Sequence, residues 1–180
     1  MQHDFHKSLA TSKEHANAPW WDQVYRKAFI GFATSHYVQD DGWAQRGGID
    51  RVIVLRSGKT FNVDEKVRTK DWPDFALERY SDRQRQTPGW IQKPLACDFI
   101  AYAFVPSQRC YLLPFLTLRA AWRSNGPDWI RAAEEKAKGF SFIYAENHGY
   151  TTESVGVPIP VVLKALNDAM LVTWNDEVPA

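Results

Sequence analysis

The sequence predicts a mixed-sheet α/β domain, on three observations. An amphipathic helix precedes a valine-rich hairpin, three further strand patterns follow, and helical patterns then dominate. Pro19 stands at a first helical turn. Trp21, Val24, Tyr25, Ala28, Phe29 and Phe32 recur at helical spacing, which predicts a helix over 19–33. Residues 34–49 are polar and glycine-bearing and read as a loop. The stretches 51–56 (RVIVLR) and 60–68 (TFNVDEKVR) are rich in β-branched residues and flank Ser57-Gly58-Lys59, the pattern of a β-hairpin. A third strand is expected at 75–80 (FALERY), then a loop in SDRQRQTPGWIQKP, then strands in CDFIAYAFV and CYLLPF. Helical patterns occupy 116–124 and 127–138, the second opened by Gly126-Pro127-Asp128 and followed by Gly139. One or two short strands are expected in 140–157 and a last helix at 159–171. Residues 1–18 show no consistent period and read as a flexible segment, which leaves 19–180 as a single domain.

Bulk composition narrows the classes. A hydrophobic content of 44% and an aromatic content of 14% argue against a disordered chain. The net charge of +1 neither demands nor excludes a polyanionic partner, because a local basic patch is what binds one. No apolar run reaches the ~18 residues of a membrane span, and the first residues lack the apolar core of a signal peptide. Cys97 and Cys110 are too few for a disulfide framework or a four-cysteine zinc site; buried free thiols in a reducing cytoplasm are expected. The histidines are isolated, and no serine has a base partner that would make a hydrolase triad. Gly47-Gly48 precedes a strand rather than a helix, so it is not a phosphate loop.

The hairpin carries the chemistry. Asp50 opens its first strand, and Asp64-Glu65-Lys66 lies at the same end of the second. Strand side chains alternate, so Phe61, Val63, Glu65 and Val67 share one face and Asn62, Asp64, Lys66 and Arg68 the other. Glu65 therefore points with the valines, near a strand end where water is within reach. A three-residue turn places Asp50 opposite Lys66, and a two-residue turn places it opposite Glu65. Two neighbouring carboxylates repel, and a divalent cation relieves the repulsion. Magnesium commonly takes one or two carboxylates, with water and substrate phosphate completing its shell. A lysine beside such a site offsets charge on a reacting phosphate. The same triplet also suits a solvated strand edge.

Asp50 followed by Asp64-x-Lys66 resembles the PD-(D/E)XK nuclease superfamily, the restriction-endonuclease-like fold, although the usual proline before the first acid is replaced by Ile49. The wider string from GIDRVIVLRSGKTFNVDEKVR to YLLP is also similar to a group of phage and bacterial proteins of that fold. The resemblance covers roughly residues 20–125 and implies a mixed β-sheet flanked by helices, with the 19–33 helix as its first core helix. It implies Asp50 and Asp64 as ligands of Mg2+ or Mn2+, Lys66 as the catalytic lysine, and DNA phosphodiesters as substrate. Glu65 and Glu78 are the candidates for an additional acid, with Asp22 behind them. Gln92 is a candidate polar neighbour of the site. Arg83, Arg85 and Lys93 are the candidate nucleic-acid contacts, in the loop that leads past Trp90. The alternative is a non-catalytic DNA- or protein-binding protein that retains the nuclease fold.

Overall fold

The computed structural model describes residues 3–4, 15, 18–38, 41–167 and 169–174. The segment expected to be flexible, 1–18, falls mostly outside them. The chain divides into two compact units, each drawn from separate stretches: 12–71, 95–115 and 168–180 form one, and 1–11, 72–94 and 116–167 the other. Both are mixed α/β.

The first unit holds helix α1 (Trp20–Ala28), strand β2 (Phe32–Tyr37), the short helix α2 (Gly42–Arg46), β3 (Arg51–Leu55), β4 (Thr60–Arg68), β7 (Phe99–Phe104), β8 (Arg109–Pro114) and β11 (Met170–Thr173). Its sheet runs β11-β8-β7-β4-β3-β2, with β4 and β7 parallel and every other neighbouring pair antiparallel. Trp21, Val24, Tyr25 and Ala28 form the buried stripe of α1. They share a core with Phe32, Ile53, Val63, Ala101, Leu112 and Trp174. Aromatic rings extend that core: Trp20 stacks on Trp174 at 4.4 Å, and Phe29, Phe61 and Phe99 meet one another at 5.0–5.7 Å.

The second unit pairs β1 (His3–Asp4), β9 (Ser141–Asn147), β10 (Tyr150–Pro158), β5 (Asp74–Asp82) and β6 (Thr87–Pro88) in that order. Helix α3 (Phe115–Glu134) lies in this unit from Leu116 onward, and α4 (Ile159–Leu166) packs on β10 and β5. No helix among the described residues is long and apolar enough to cross a membrane.

Four departures from the sequence reading have local causes. Helix α1 stops at Ala28 because Phe29 is extended at φ −114° and Gly31 turns the chain at φ 79°, which sends Phe32 into a strand. The expected loop 34–49 holds most of β2 and all of α2, whose start Asp41 caps by accepting the Trp43 amide at 2.8 Å. The two helices expected at 116–124 and 127–138 are one, running through Pro127. The last helix ends at Leu166, where Asn167 adopts the left-handed conformation at φ 54°, and the remaining apolar residues pair with β8 as β11.

Gly89 sits against the β5 backbone: a Cβ there would lie 2.2 Å from the Glu78 carbonyl oxygen. Gly58 turns the β3–β4 hairpin at φ 83° with nothing within 4 Å of a would-be Cβ. Gly89→Ala is therefore expected to lower stability by ~3 kcal/mol, since backbone must move. Gly58→Ala should cost ~1 kcal/mol, for its left-handed conformation alone. Denaturant midpoints of the two variants check the order; equal losses would show that the β5 approach is not tight.

Candidate active site

The hairpin register decides which charges meet. Arg51 pairs with Val63 and Val54 with Thr60, while the Leu55 amide donates to the Lys59 carbonyl at 2.8 Å. The loop is thus Arg56-Ser57-Gly58, one residue earlier than the Ser57-Gly58-Lys59 read from sequence. The ladder ends at Arg51–Val63, so Asp50 lies just beyond it and is paired with neither Lys66 nor Glu65; its carboxyl lies near that of Asp64. The Asp50 amide donates to the Val63 carbonyl at 2.9 Å, and its Oδ2 accepts the Glu65 amide at 2.7 Å. Gly47 and Gly48 hold the approach to Asp50 close. The Gly47 carbonyl accepts the Ala96 amide at 2.8 Å, and a Cβ on Gly48 would meet Leu95 at 2.9 Å.

Asp64 and Lys66 project together, as alternation requires. Lys66 Nζ donates to Asp64 Oδ1 at 2.5 Å. The lysine side chain is 30% exposed and the aspartate 4%, so Asp64 is not the exposed strand-end acid expected from sequence. Burial pushes the Asp64 carboxyl up to about 7; Lys66 opposes this, and Asp50 adds to it by its charge and by hydrogen bonding. Asp64 therefore keeps its proton to about neutral pH. Cys97 lies beside the same group, its thiol pushed up to about 12 by burial and then by Asp64. Both cysteines are free and buried.

Glu65 turns the other way, towards α1. It is buried, not near water as expected, and accepts from Tyr25 Oη at 2.7 Å and from Arg51 Nε at 2.6 Å. Arg51 also donates to Ser35 Oγ at 3.2 Å, and Ser35 in turn donates to Asp22 at 2.7 Å. Burial pushes the Glu65 carboxyl up to about 7, against the charge of Arg51 and both hydrogen bonds. Strand β4 thus carries consecutive buried acids on opposite faces. Glu65 is occupied in the core. The signal for this lay in Arg51, a cation at the start of a strand whose inward face is otherwise apolar, and in Tyr25, a stripe residue of α1 with a hydroxyl at its end.

Glu78 belongs to β5, in the five-stranded sheet, and does not extend the β3–β4 hairpin. The place beside β4 is taken by β7. Glu78 Oε1 instead accepts the Trp90 amide at 3.1 Å. Gln92 Nε2 donates to the Arg79 carbonyl. Arg83 and Arg85, expected to face phosphates, already have carboxylate partners: Glu153 at 2.8 Å and Asp82 at 3.0 Å. Lys93 follows in the turn after Gly89, its amide bonded to that carbonyl at 3.2 Å.

Among the described residues, no group of three or more His, Cys, Asp or Glu side chains is arranged to hold a metal ion. Asp50 and Asp64 make two neighbouring carboxylates, and magnesium commonly takes one or two carboxylates with water and phosphate completing its shell. Comparison with protein-family models, curated proteins and solved structures finds no match to this chain.

The raised Asp64 carboxyl makes a signed prediction. An unfolded aspartate ionises near ~4, so between about pH 4 and 7 the folded chain keeps a proton that the unfolded chain has lost. This contribution to stability is full below that window and is lost as pH rises through it. Glu65 adds a second proton over the same range. Unfolding free energy in metal-free buffer should therefore fall with pH, by up to ~1.4 kcal/mol per pH unit for each group. Asp64→Asn should remove one proton's worth of that slope, and an unchanged slope would assign the titration elsewhere.

Proposed function

We propose that this chain is a magnesium- or manganese-dependent nuclease that hydrolyses DNA phosphodiester bonds on a restriction-endonuclease-like core. The observation that supports it most is the closeness of the Asp50 and Asp64 carboxyls at one end of the hairpin, with Lys66 bonded to the second acid. The helix before the sheet and the parallel β4–β7 pair in a mixed sheet agree with that core.

In this reading Asp50 and Asp64 hold the cation. When bound, it supplies Lewis-acid polarisation of a phosphoryl oxygen. Asp64 must give up the proton it keeps to about 7, so activity rises as pH passes that range. The Lys66 ammonium, beside Asp64, would meet the scissile phosphate and the attacking water. It stabilises negative charge that grows in the transition state. Glu65, bonded to Arg51 and Tyr25, fixes the strand that carries both neighbours and touches no substrate.

The second reading, a non-catalytic binding protein on the same fold, is favoured by one feature. The donor set stops at two carboxylates, and the next acid along β4 faces away.

Lys66→Ala separates the two. A catalytic lysine should cost about 10²–10³ in the cleavage step and little in metal or DNA affinity. Single-turnover cleavage of plasmid and single-stranded DNA with magnesium or manganese, parent beside variant, is the measurement. An active parent with an equally active variant removes Lys66 from the mechanism. A parent inactive on every substrate leaves the binding-protein reading standing.

A further inference from the structure

The second unit contains a basic, aromatic groove that the hairpin chemistry does not use. A cavity of about 340 Å³ is lined by Arg79, Tyr80, Gln92, Arg119, Trp122 and Arg123, among others. A second, of about 290 Å³, shares the wall formed by Arg79 and Tyr80 and continues to Arg83 and Gln84. Both lie wholly within this unit.

Arg119, Trp122 and Arg123 come from α3, where spacings of three and four residues put them on one helix face. Arg119 and Arg123 have no carboxylate partner among the described residues. Arg119 donates from one terminal nitrogen to the Gln92 carbonyl at 3.3 Å, while its Nε is buried with no hydrogen-bond partner. Its guanidinium lines the cavity, and a phosphate oxygen is the acceptor that suits its geometry and charge. The acid among the second cavity's residues, Glu153, is already committed to Arg79 and Arg83 at 3.2 and 2.8 Å. Arg79 also lies over the Tyr80 ring at 4.6 Å, a cation and π-face stack beside which a base can lie.

We propose that these adjoining cavities bind a single nucleic-acid strand, with successive phosphates on Arg119/Arg123 and on the Arg79/Arg83 side, and bases against Tyr80 and Trp122. Each cavity has room for about one nucleotide, and two with a common wall fit a strand rather than a lone nucleotide. This rests on the nucleic-acid reading above but replaces its contact residues. The Arg85 contact gives way to Arg119 and Arg123, and Arg83 takes part only beside Glu153.

The test is anisotropy of a labelled oligothymidylate in EDTA, so that no cleavage is needed to see binding. Arg119→Gln and Arg123→Gln should each weaken binding about tenfold. Each should also flatten the dependence of log affinity on log salt by about 0.7. Arg131→Gln, outside the groove, and Arg85→Gln should bind as the parent does. Arg123 is exposed, so its replacement leaves folding intact; Arg119→Lys keeps the charge and should recover part of the loss. A parent that binds no oligonucleotide, groove variants that bind like the parent, or free adenosine monophosphate binding as tightly as the strand would each overturn the proposal. Metal-dependent cleavage with unaffected groove variants would sink the groove alone. Groove-dependent binding with no cleavage under any metal would sink the nuclease reading alone.

Discussion

The site depends on the hydrogen bond from the Glu65 amide to the Asp50 carboxylate. It ties the start of β3 to the middle of β4 and closes the hairpin at the end opposite its turn. With the strands held there, the Asp50 carboxyl lies near Asp64, and Glu65 faces α1. Because strand side chains alternate, a slip of one residue would exchange the two faces. It would drive Asp64 and Lys66 into a core of Val24, Ile53 and Ala101, and leave Arg51 without its partner. The misregistered hairpin is therefore penalised on both faces at once, which is stronger specification than valines alone supply.

Two consecutive buried carboxylates make opposite demands on their surroundings. Glu65 is met by Arg51, by the Tyr25 hydroxyl and, through Arg51, by Ser35 and Asp22, so its oxygens are spoken for on several sides. Asp64 is met by one half-buried lysine and by another acid. Removing a partner from the first arrangement would strand a buried ion, which costs about 3–5 kcal/mol. The second is already under electrostatic strain that a cation or a proton relieves. The contrast lies in the wiring, not in burial: both side chains are almost equally inaccessible.

The elements built on repeated apolar spacing were legible in the sequence. The stripe of α1, the β3–β4 hairpin, β7 and β8 all follow from periodicity. What escaped was set by single residues. Asp41 capped a helix in a polar stretch, Asn167 stopped a helix whose apolar pattern continued, and Pro127 failed to stop one. The side-by-side projection of Asp64 and Lys66 followed from alternation. The partner of Asp50 did not, because a loop shifted by one residue changes it, and Ser57-Gly58-Lys59 and Arg56-Ser57-Gly58 are equally good turn sequences. The burial of Glu65 and the placement of β5 in another sheet depend on contacts across long separations. The spacing of Arg119, Trp122 and Arg123 was readable on the helix, but their convergence with Arg79 and Tyr80 was not.

The division of each unit among separate stretches of chain sets an order of events during synthesis. Helix α1 and the β2–β3–β4 meander leave the ribosome first, with one edge of β4 open. That edge waits for β7 until the 72–94 stretch has been translated, and β8 then waits for β11 across all of 116–167. At ribosomal rates of ~5–20 residues per second, the second wait alone lasts roughly 3–10 s. Throughout it a row of backbone donors and acceptors on β8 is available to any neighbouring chain. The nascent protein therefore meets its greatest risk of wrong pairing late in translation, when most of its first sheet already exists.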